Sequence, residues 1–410
     1  MLEQATVVLM AVYLTVIAFG ARARVLMFAG VLGAASLATC IIYGSWGGIA
    51  DGLVFAHLIA ALLPTLMVIR AAFEHSVEMA RSRRRIAEAG AGASGPMLQT
   101  AGHALASVLT LGAVAIISPL VPADATPADR IEAAQSTLRG TLLAVLWSPF
   151  FVSMAVVTHH LPWLPLWQIV PAGMVMATIG MGLALVMYYP PRAWMQSLAA
   201  LRLLAPIVLP VAAMAVTVMA ATVVAGMGTI QAIILLLPPL MVLWTVLGRS
   251  SQLRSVSTTV IRGLGGFGAE VLVLAAAIVF GQVIEHTEQI SDAIVPLLTA
   301  GFGEPGLIAC VLAVMIAGGL MGVHPMATAP IMLGLLAGLP EISDLALGLA
   351  VLCGWGLGNM VSISSMALAT TAGMFGVPVE RLVLGRNLLF VCVFAAVIVG
   401  ILSLVGRTVG

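Results

Sequence analysis

The chain has 410 residues, of which 61% are hydrophobic and 8% charged, against about 25% charged in an ordinary soluble domain. Its mean hydropathy is +1.16, and no water-soluble fold of this length can cover so much apolar surface, so the chain belongs in a membrane. A net charge of +1, from 17 basic residues that are all Arg and 16 acidic ones, gives no electrostatic footprint for nucleic acid.

The apolar runs exceed the roughly 10-residue alternating strands of a membrane barrel, so the spans are helices. Runs near the roughly 20 residues that a crossing needs lie at 5–21, 25–43, 52–72, 138–158, 166–189, 203–226, 229–248, 268–287, 306–323, 345–371 and 387–407. With two shorter runs, 102–122 and 325–340, the expectation is about 11–13 membrane segments. The first run, Ala5 to Gly20, lacks a basic region before it and is followed by Arg22 and Arg24, as in a first transmembrane helix rather than a cleaved signal. Arg81–Arg85 and the stretch from Arg249 predict cytoplasmic connectors, as do Arg192, Arg202, Arg381 and Arg386. Residues 74–98 read as a cytoplasmic amphipathic helix and an Ala-Gly link, with a partner-binding element as the alternative. Cys40, Cys310, Cys353 and Cys392 fall far apart in apolar runs and read as small apolar residues.

An internal echo divides the chain. Ser153-Met154-Ala155 and Thr158 match Ser365-Met366-Ala367 and Thr370 at an offset of 212, close to half the length. Pro165 and Pro378 follow at nearly the same offset, and His103-x-x-Ala and His324-x-x-Ala precede. The expectation is two repeats, 1–195 and 196–410, inverted across the membrane because an odd number of crossings separates the matching helices. Cytoplasmic Arg81–Arg85 and a cytoplasmic Arg192 loop are compatible only if 102–122 enters and leaves on one face. A re-entrant hairpin is therefore expected there, with a counterpart at 306–340 turning at Gly322-Val323-His324-Pro325.

Polar residues mark the candidate site. Asn359, Ser362, Ser364, Ser365, Thr370 and Thr371 crowd an otherwise apolar span after Gly354, Gly356 and Gly358, which are expected to weaken the helix there. A helix broken in mid-membrane exposes carbonyls on one half and amides on the other, and these suit a cation and an anion. The plain alternative is close helix packing with hydroxyls bonded across the interface. In the N-terminal copy Trp147-Ser148-Pro149 replaces Asn359-Met360-Val361, so a proline breaks the helix and the two copies do unequal work. His103 and His324 read either as neutral residues bonded to carbonyls or as proton-coupling or substrate groups. His159 and His160, beside Trp163 and Trp167, look interfacial, and no residues have metal-ligand spacing. The scarcity of intramembrane carboxylates favours Na⁺ over H⁺ as the coupling ion, and an anionic substrate.

These motifs resemble the ion transporter superfamily, which includes divalent anion/sodium symporters and the large membrane subunits of tripartite periplasmic-binding-protein transporters. The resemblance implies inverted repeats, each with a re-entrant hairpin and a broken helix, that bind Na⁺ and a carboxylate. The matching residues are Asn359, Ser362, Ser364, Ser365 and Thr370, with Ser153 and Thr158 in the other half; the family's Ser-Asn-Thr triplet itself is absent. The expectation is an all-α, multi-pass protein of a bacterial-type inner membrane that moves a small organic anion by alternating access. It would not be an enzyme and would need no cofactor beyond Na⁺ or H⁺, with Na⁺ held at Asn359, Ser362 and Ser364. Expected partners are the anionic substrate and the bilayer, and a homodimer or a soluble binding protein stays open. The rivals are a His-dependent proton-coupled transporter or cation/proton antiporter, and an intramembrane transferase on a lipid-linked phosphate using Arg381, Arg386 and His159.

Overall fold

The computed structural model describes residues 2–88, 94–249, 252–299 and 303–409, and is 85% helical with no strand among them. Helix is the conformation an apolar chain adopts when lipid offers its backbone no hydrogen bonds. The first half comprises α1 (Leu2–Phe19), α2 (Ala23–Tyr43), α3 (Trp46–Glu74), α4 (Val77–Glu88), α5 (Gly95–Leu109), α6 (Gly112–Ile117), α7 (Pro127–Leu143), α8 (Val152–His160) and α9 (Leu166–Tyr188). The second comprises α10 (Pro191–Val224), α11 (Thr229–Arg249), α12 (Leu253–Leu264), α13 (Gly268–Glu285), α14 (Glu288–Thr299), α15 (Gly303–Leu320), α16 (Pro325–Leu336), α17 (Asp344–Val361), α18 (Met366–Phe375), α19 (Val379–Val383) and α20 (Arg386–Val409). Among the described residues, eight segments are long and apolar enough to cross a membrane: α2, α3, α9, α11, α13, α15, α17 and 379–404. Part of α1, the second half of α10, α16 and α18 are shorter apolar helices. The protein is thus an all-α, multi-pass membrane protein.

Polar contacts between connectors define two ends. At one, His75 Nε2 bonds Thr259 Oγ1 at 3.0 Å and Ser94 bonds Gln196, which gathers α4, α12 and the start of α10, with their arginines, on one side. The Ala-Gly link after α4 lies largely in 89–93, outside the described residues, as do Ser250 and Ser251 of the second basic stretch. At the other end Asp51 pairs with His286 at 3.0 Å, Ser343 N donates to Glu304 at 2.9 Å, and Trp163 donates to Asp344 at 2.5 Å. Trp163 and Trp167 are exposed there, as residues of an aromatic belt are.

Close backbone approach holds the bundle together. α3 and α13 run antiparallel with Gly48 and Gly52 facing Val283 and Val279; a Cβ on either glycine would lie 2.6 Å from the facing Cα. This is the small-xxx-small packing of membrane helices, which is stabilised by dispersion rather than by hydrophobic burial. α1, α2, α11 and α12 pack around that pair. A second pair, α5 and α7, is closer still: a Cβ on Gly140 would lie 1.9 Å from Gln99 O. In α15 and α17 the approach is reciprocal, a Cβ on Gly319 lying 2.6 Å from Gly358 O and one on Gly358 lying 2.8 Å from Met315 O.

That last approach corrects the expectation for Gly354, Gly356 and Gly358. α17 runs unbroken through all three to Val361. Their missing side chains admit Met315 of α15 and Leu142 of α7 instead of loosening the helix. Without water to bond an opened backbone, the propensity cost of glycine is too small to break a buried helix.

Gly140→Ala is expected to lower the thermal unfolding temperature of the purified protein, by the equivalent of about 1–3 kcal/mol for an overpacked site. Gly182→Ala, in α9 with no atom within 4 Å of the new Cβ, should leave it unchanged or slightly raised.

Candidate functional site

Two helix–break–helix units lie side by side in the core. In the first, α7 tightens into a 3₁₀ turn at Ala144–Leu146, is interrupted through Trp147-Ser148-Pro149-Phe150, and resumes as α8. In the second, α17 stops at Val361, residues 362–364 are non-helical, and α18 starts at Met366 with Ser365 as its N-cap. α17 meets α7 and the 3₁₀ turn at Gly356, where a Cβ would lie 2.9 Å from Leu142 O. The two breaks lie on either side of this contact, the first starting at Trp147, past Leu142, and the second at Ser362, past Gly356. α7–α8 runs from the basic end to the end holding Asp51 and Asp344, and α17–α18 runs the other way.

A helical hairpin accompanies each break. α5 and α6 turn at Thr110, a non-glycine residue at φ +49. Ser94 and Gly95 before them and Val121–Thr126 after them line one cleft of about 390 Å³. α15 and α16 turn at Gly322, φ +85, and the two ends of that segment meet where Ser343 bonds Glu304. Each turn abuts the break of its own half. Ser148 Oγ donates to Ser107 O of α5 at 2.5 Å and accepts from Phe150 N at 3.2 Å. A Cβ on Gly322 would lie 3.7 Å from Ile363. The halves also exchange partners, with α8 packing on α16 and α17, and α18 packing on α6 and α7.

The hydroxyls of the second break are lightly held. Ser362 is buried and Ser364 exposed, and their Oγ atoms bond each other at 2.8 Å. Ser365 Oγ accepts from Leu368 N at 3.5 Å, a weak cap, and Asn359 Nδ2 donates to Trp355 O at 3.0 Å. Thr370 is half-buried on α18, whereas Thr371 is buried and donates to Ala367 O at 2.7 Å. In the first unit Thr158 donates to Met154 O at 2.9 Å, while Ser153 Oγ is buried with no hydrogen-bond partner among the described residues. An unpartnered buried hydroxyl is uncommon because its desolvation goes uncompensated.

The two histidines differ. Trp147 Nε1 donates to His103 Nε2 at 3.1 Å, and an indole N–H can only donate, so the ring proton sits on Nδ1 and is given to Gly140 O at 3.3 Å. His103 is thus a neutral tie between α5, α7 and the first break. His324 Nδ1 accepts from Met326 N at 3.1 Å and caps α16, which leaves Nε2 with the proton and no hydrogen bond among the described residues. Its ring stands edge-on to Trp355, 6.5 Å between centroids.

His159 and His160 pack against α3. His159 stacks on Phe55 at 3.4 Å, and His160 is buried with Nδ1 bonded to Val156 O at 3.0 Å. Phe55 of α3 packs on both rings, with His160 buried and His159 half-buried. The set Arg381, Arg386 and His159 does not converge. Arg386 pairs with Glu132 and Arg381 O accepts from Gln135, both near the start of α7, while His159 lies at the far end of α8.

Sequence reasoning missed Arg139. It is fully buried in α7, and no carboxylate pairs with it among the described residues. Its guanidinium donates to Gln99 Oε1 at 3.4 Å, Asn387 Oδ1 at 2.8 Å, Ser136 Oγ at 3.1 Å and Tyr189 Oη at 3.5 Å, and lies 4.8 Å from the Tyr188 ring centre. The signal was a lone charge within the apolar run 138–158.

No family model matches the chain, and no curated protein matches it.

Ser365→Ala, which removes a helix cap, is expected to cost about 1 kcal/mol of stability or less. Ser153→Ala removes a hydroxyl that bonds nothing within the described residues and should leave the unfolding temperature equal or higher. Thermal denaturation of the two variants beside the wild type separates these outcomes.

Proposed function

We propose that the protein is a secondary transporter, similar in layout to the ion transporter superfamily, that moves a small organic anion by alternating access with Na⁺ as coupling ion. The carrying observation is the pair of oppositely running helix–break–helix units, each abutted by a hairpin of its own half and packed on the hairpin of the other. That arrangement supports two inverted repeats with re-entrant hairpins, because both ends of 95–122 border one cleft and Glu304 meets Ser343.

The chemistry follows from the breaks. Carbonyls at the end of α17, with Asn359, Ser362 and Ser364, offer uncharged oxygen ligands of the kind a dehydrated Na⁺ requires. The amide end of α18, capped by Ser365, faces an anion with its partial positive charge. Bound Na⁺ completes the anion site, and rocking of one unit against the other exposes it to alternate faces. Arginines gathered at one end support an inner-membrane orientation with that end cytoplasmic. Proton coupling is the second reading; it rests on His324, whose Nε2 has no hydrogen bond among the described residues, and not on His103, whose two ring nitrogens are both bonded.

Anything that binds the folded state alone raises its unfolding temperature. In NaCl against choline chloride, Na⁺ is expected to raise it, a small mono- or dicarboxylate to raise it further, and Ser362→Ala or Ser365→Ala to remove the Na⁺ response. Uptake of that carboxylate into proteoliposomes should then need an inward Na⁺ gradient. A shift that ignores Na⁺, follows pH and vanishes in His324→Ala would replace this reading with proton coupling.

A further inference from the structure

We propose that Arg139 is the carboxylate-binding cation of this protein, and that the anion's two oxygens bridge its guanidinium and the amide of Asn387. The inference rests on the anion-transport reading and adds to it the charged group that the hydroxyl-rich breaks lack.

The cluster has donors and positive charge in surplus. Arg139 carries five N–H groups, all donors, and its partners are four neutral oxygens drawn from α5, α7, α20 and the residue that ends α9. Gln99 is oriented by its own Nε2, which donates to Met181 O at 3.2 Å, so its Oε1 faces the guanidinium. The Ser136 hydroxyl is already given to Glu132 O at 2.8 Å. Beside them Asn387 Nδ2 is fully buried and has no acceptor among the described residues. Asn387 also lies in the first turn of α20, a helix of 24 residues, where the partial charge is positive. Arg386 faces the same Tyr188 ring as Arg139, at 5.5 Å and 4.8 Å from its centre. A buried guanidinium costs several kcal/mol unless a counter-charge meets it. Here every local partner is neutral or a donor, and a carboxylate is the planar, two-oxygen acceptor that matches the guanidinium fork.

A cleft ends close to this point. The Tyr189 hydroxyl bonds Ser136 Oγ at 2.6 Å and presses on Gly95, where a Cβ would lie 2.0 Å from it. Gly95, Glu132 and Ala133 line the 390 Å³ cleft between the two ends of the α5–α6 hairpin. Tyr189 is therefore the partition between cleft and guanidinium. Three carboxylates rim the cleft: Glu132 is paired with Arg386 at 3.5 Å, Asp129 is held in the Thr126 capping box, and Asp124 is the one an entering anion has to pass.

The test uses Asn387→Asp. This isosteric change gives Arg139 an internal carboxylate at the existing 2.8 Å separation and removes the orphan Nδ2. The purified full-length protein is heated in acetate, pyruvate, succinate or chloride, each against the same buffer without added salt, as wild type, Asn387→Asp and Arg139→Gln. The expected result is a carboxylate-induced rise in unfolding temperature in the wild type, lost in Asn387→Asp although that variant is itself more stable. Arg139→Gln should weaken the apparent carboxylate affinity by roughly 100-fold or more, the scale of losing one partner of a buried charge pair. If Arg139→Gln does not fold, Asn387→Asp carries the test. A wild-type-sized carboxylate shift in Asn387→Asp overturns the proposal and makes Arg139 a structural tie, with the transport reading intact. Equal protection by chloride in the wild type overturns it in favour of an inorganic counter-ion. No carboxylate shift in the wild type overturns the anion-transport reading and this proposal together.

Discussion

Backbone-to-backbone packing through glycine is the constraint on which the rest of the molecule depends. Where Gly140 lies against the Gln99 carbonyl and Gly358 against Met315 and Gly319, two helices approach more closely than side chains allow. In lipid such packing supplies the dispersion energy that hydrophobic burial supplies in water. It also sets position. Gly140 against α5 puts Gln99 beside Arg139 and His103 beside Trp147. Gly358 against α15 brings the Gly322 turn to the break at Ser362.

Irregular backbone inside a membrane has to be satisfied by protein, and the two breaks meet that demand unequally. The first is stitched: Ser148 bonds both α5 and Phe150, and Trp147 bonds His103. The second relies on a serine–serine hydrogen bond and a long cap at Ser365. A tightly satisfied break behaves as scaffold, whereas one with lightly engaged hydroxyls can exchange those bonds for a ligand. Pro149 accounts for part of the contrast, since proline enforces a break by itself and the serine-rich copy has none.

Two groups of charge mark the ends of the bundle. Asp51, Glu304 and Asp344 stand at one end of the bundle, and the arginines of α4 and α12 at the other. Arg139 stands apart from both groups, held between the halves by Asn387 of α20 and by residues of α5, α7 and the end of α9. Carrying a guanidinium into that position offsets much of what the surrounding packing contributes.

Composition placed this chain in a membrane, because 61% hydrophobic residues leave no other environment for them, and the length of the apolar runs made the spans helices. The crowding of Asn359 to Thr371 was equally legible, as polar atoms in an apolar run are visible without coordinates. Tertiary structure decided what the glycines and arginines do. Gly354, Gly356 and Gly358 read locally as helix breakers, yet Met315 and Leu142 fill the space beside them and the helix continues. His159 and His160 read as interfacial because their neighbours in sequence are tryptophans, and only folding packs Phe55, about a hundred positions away, on both rings. Arg139 was lost for the same reason. Its four acceptors come from residues 99, 136, 189 and 387, and all but Ser136 reach it only through folding.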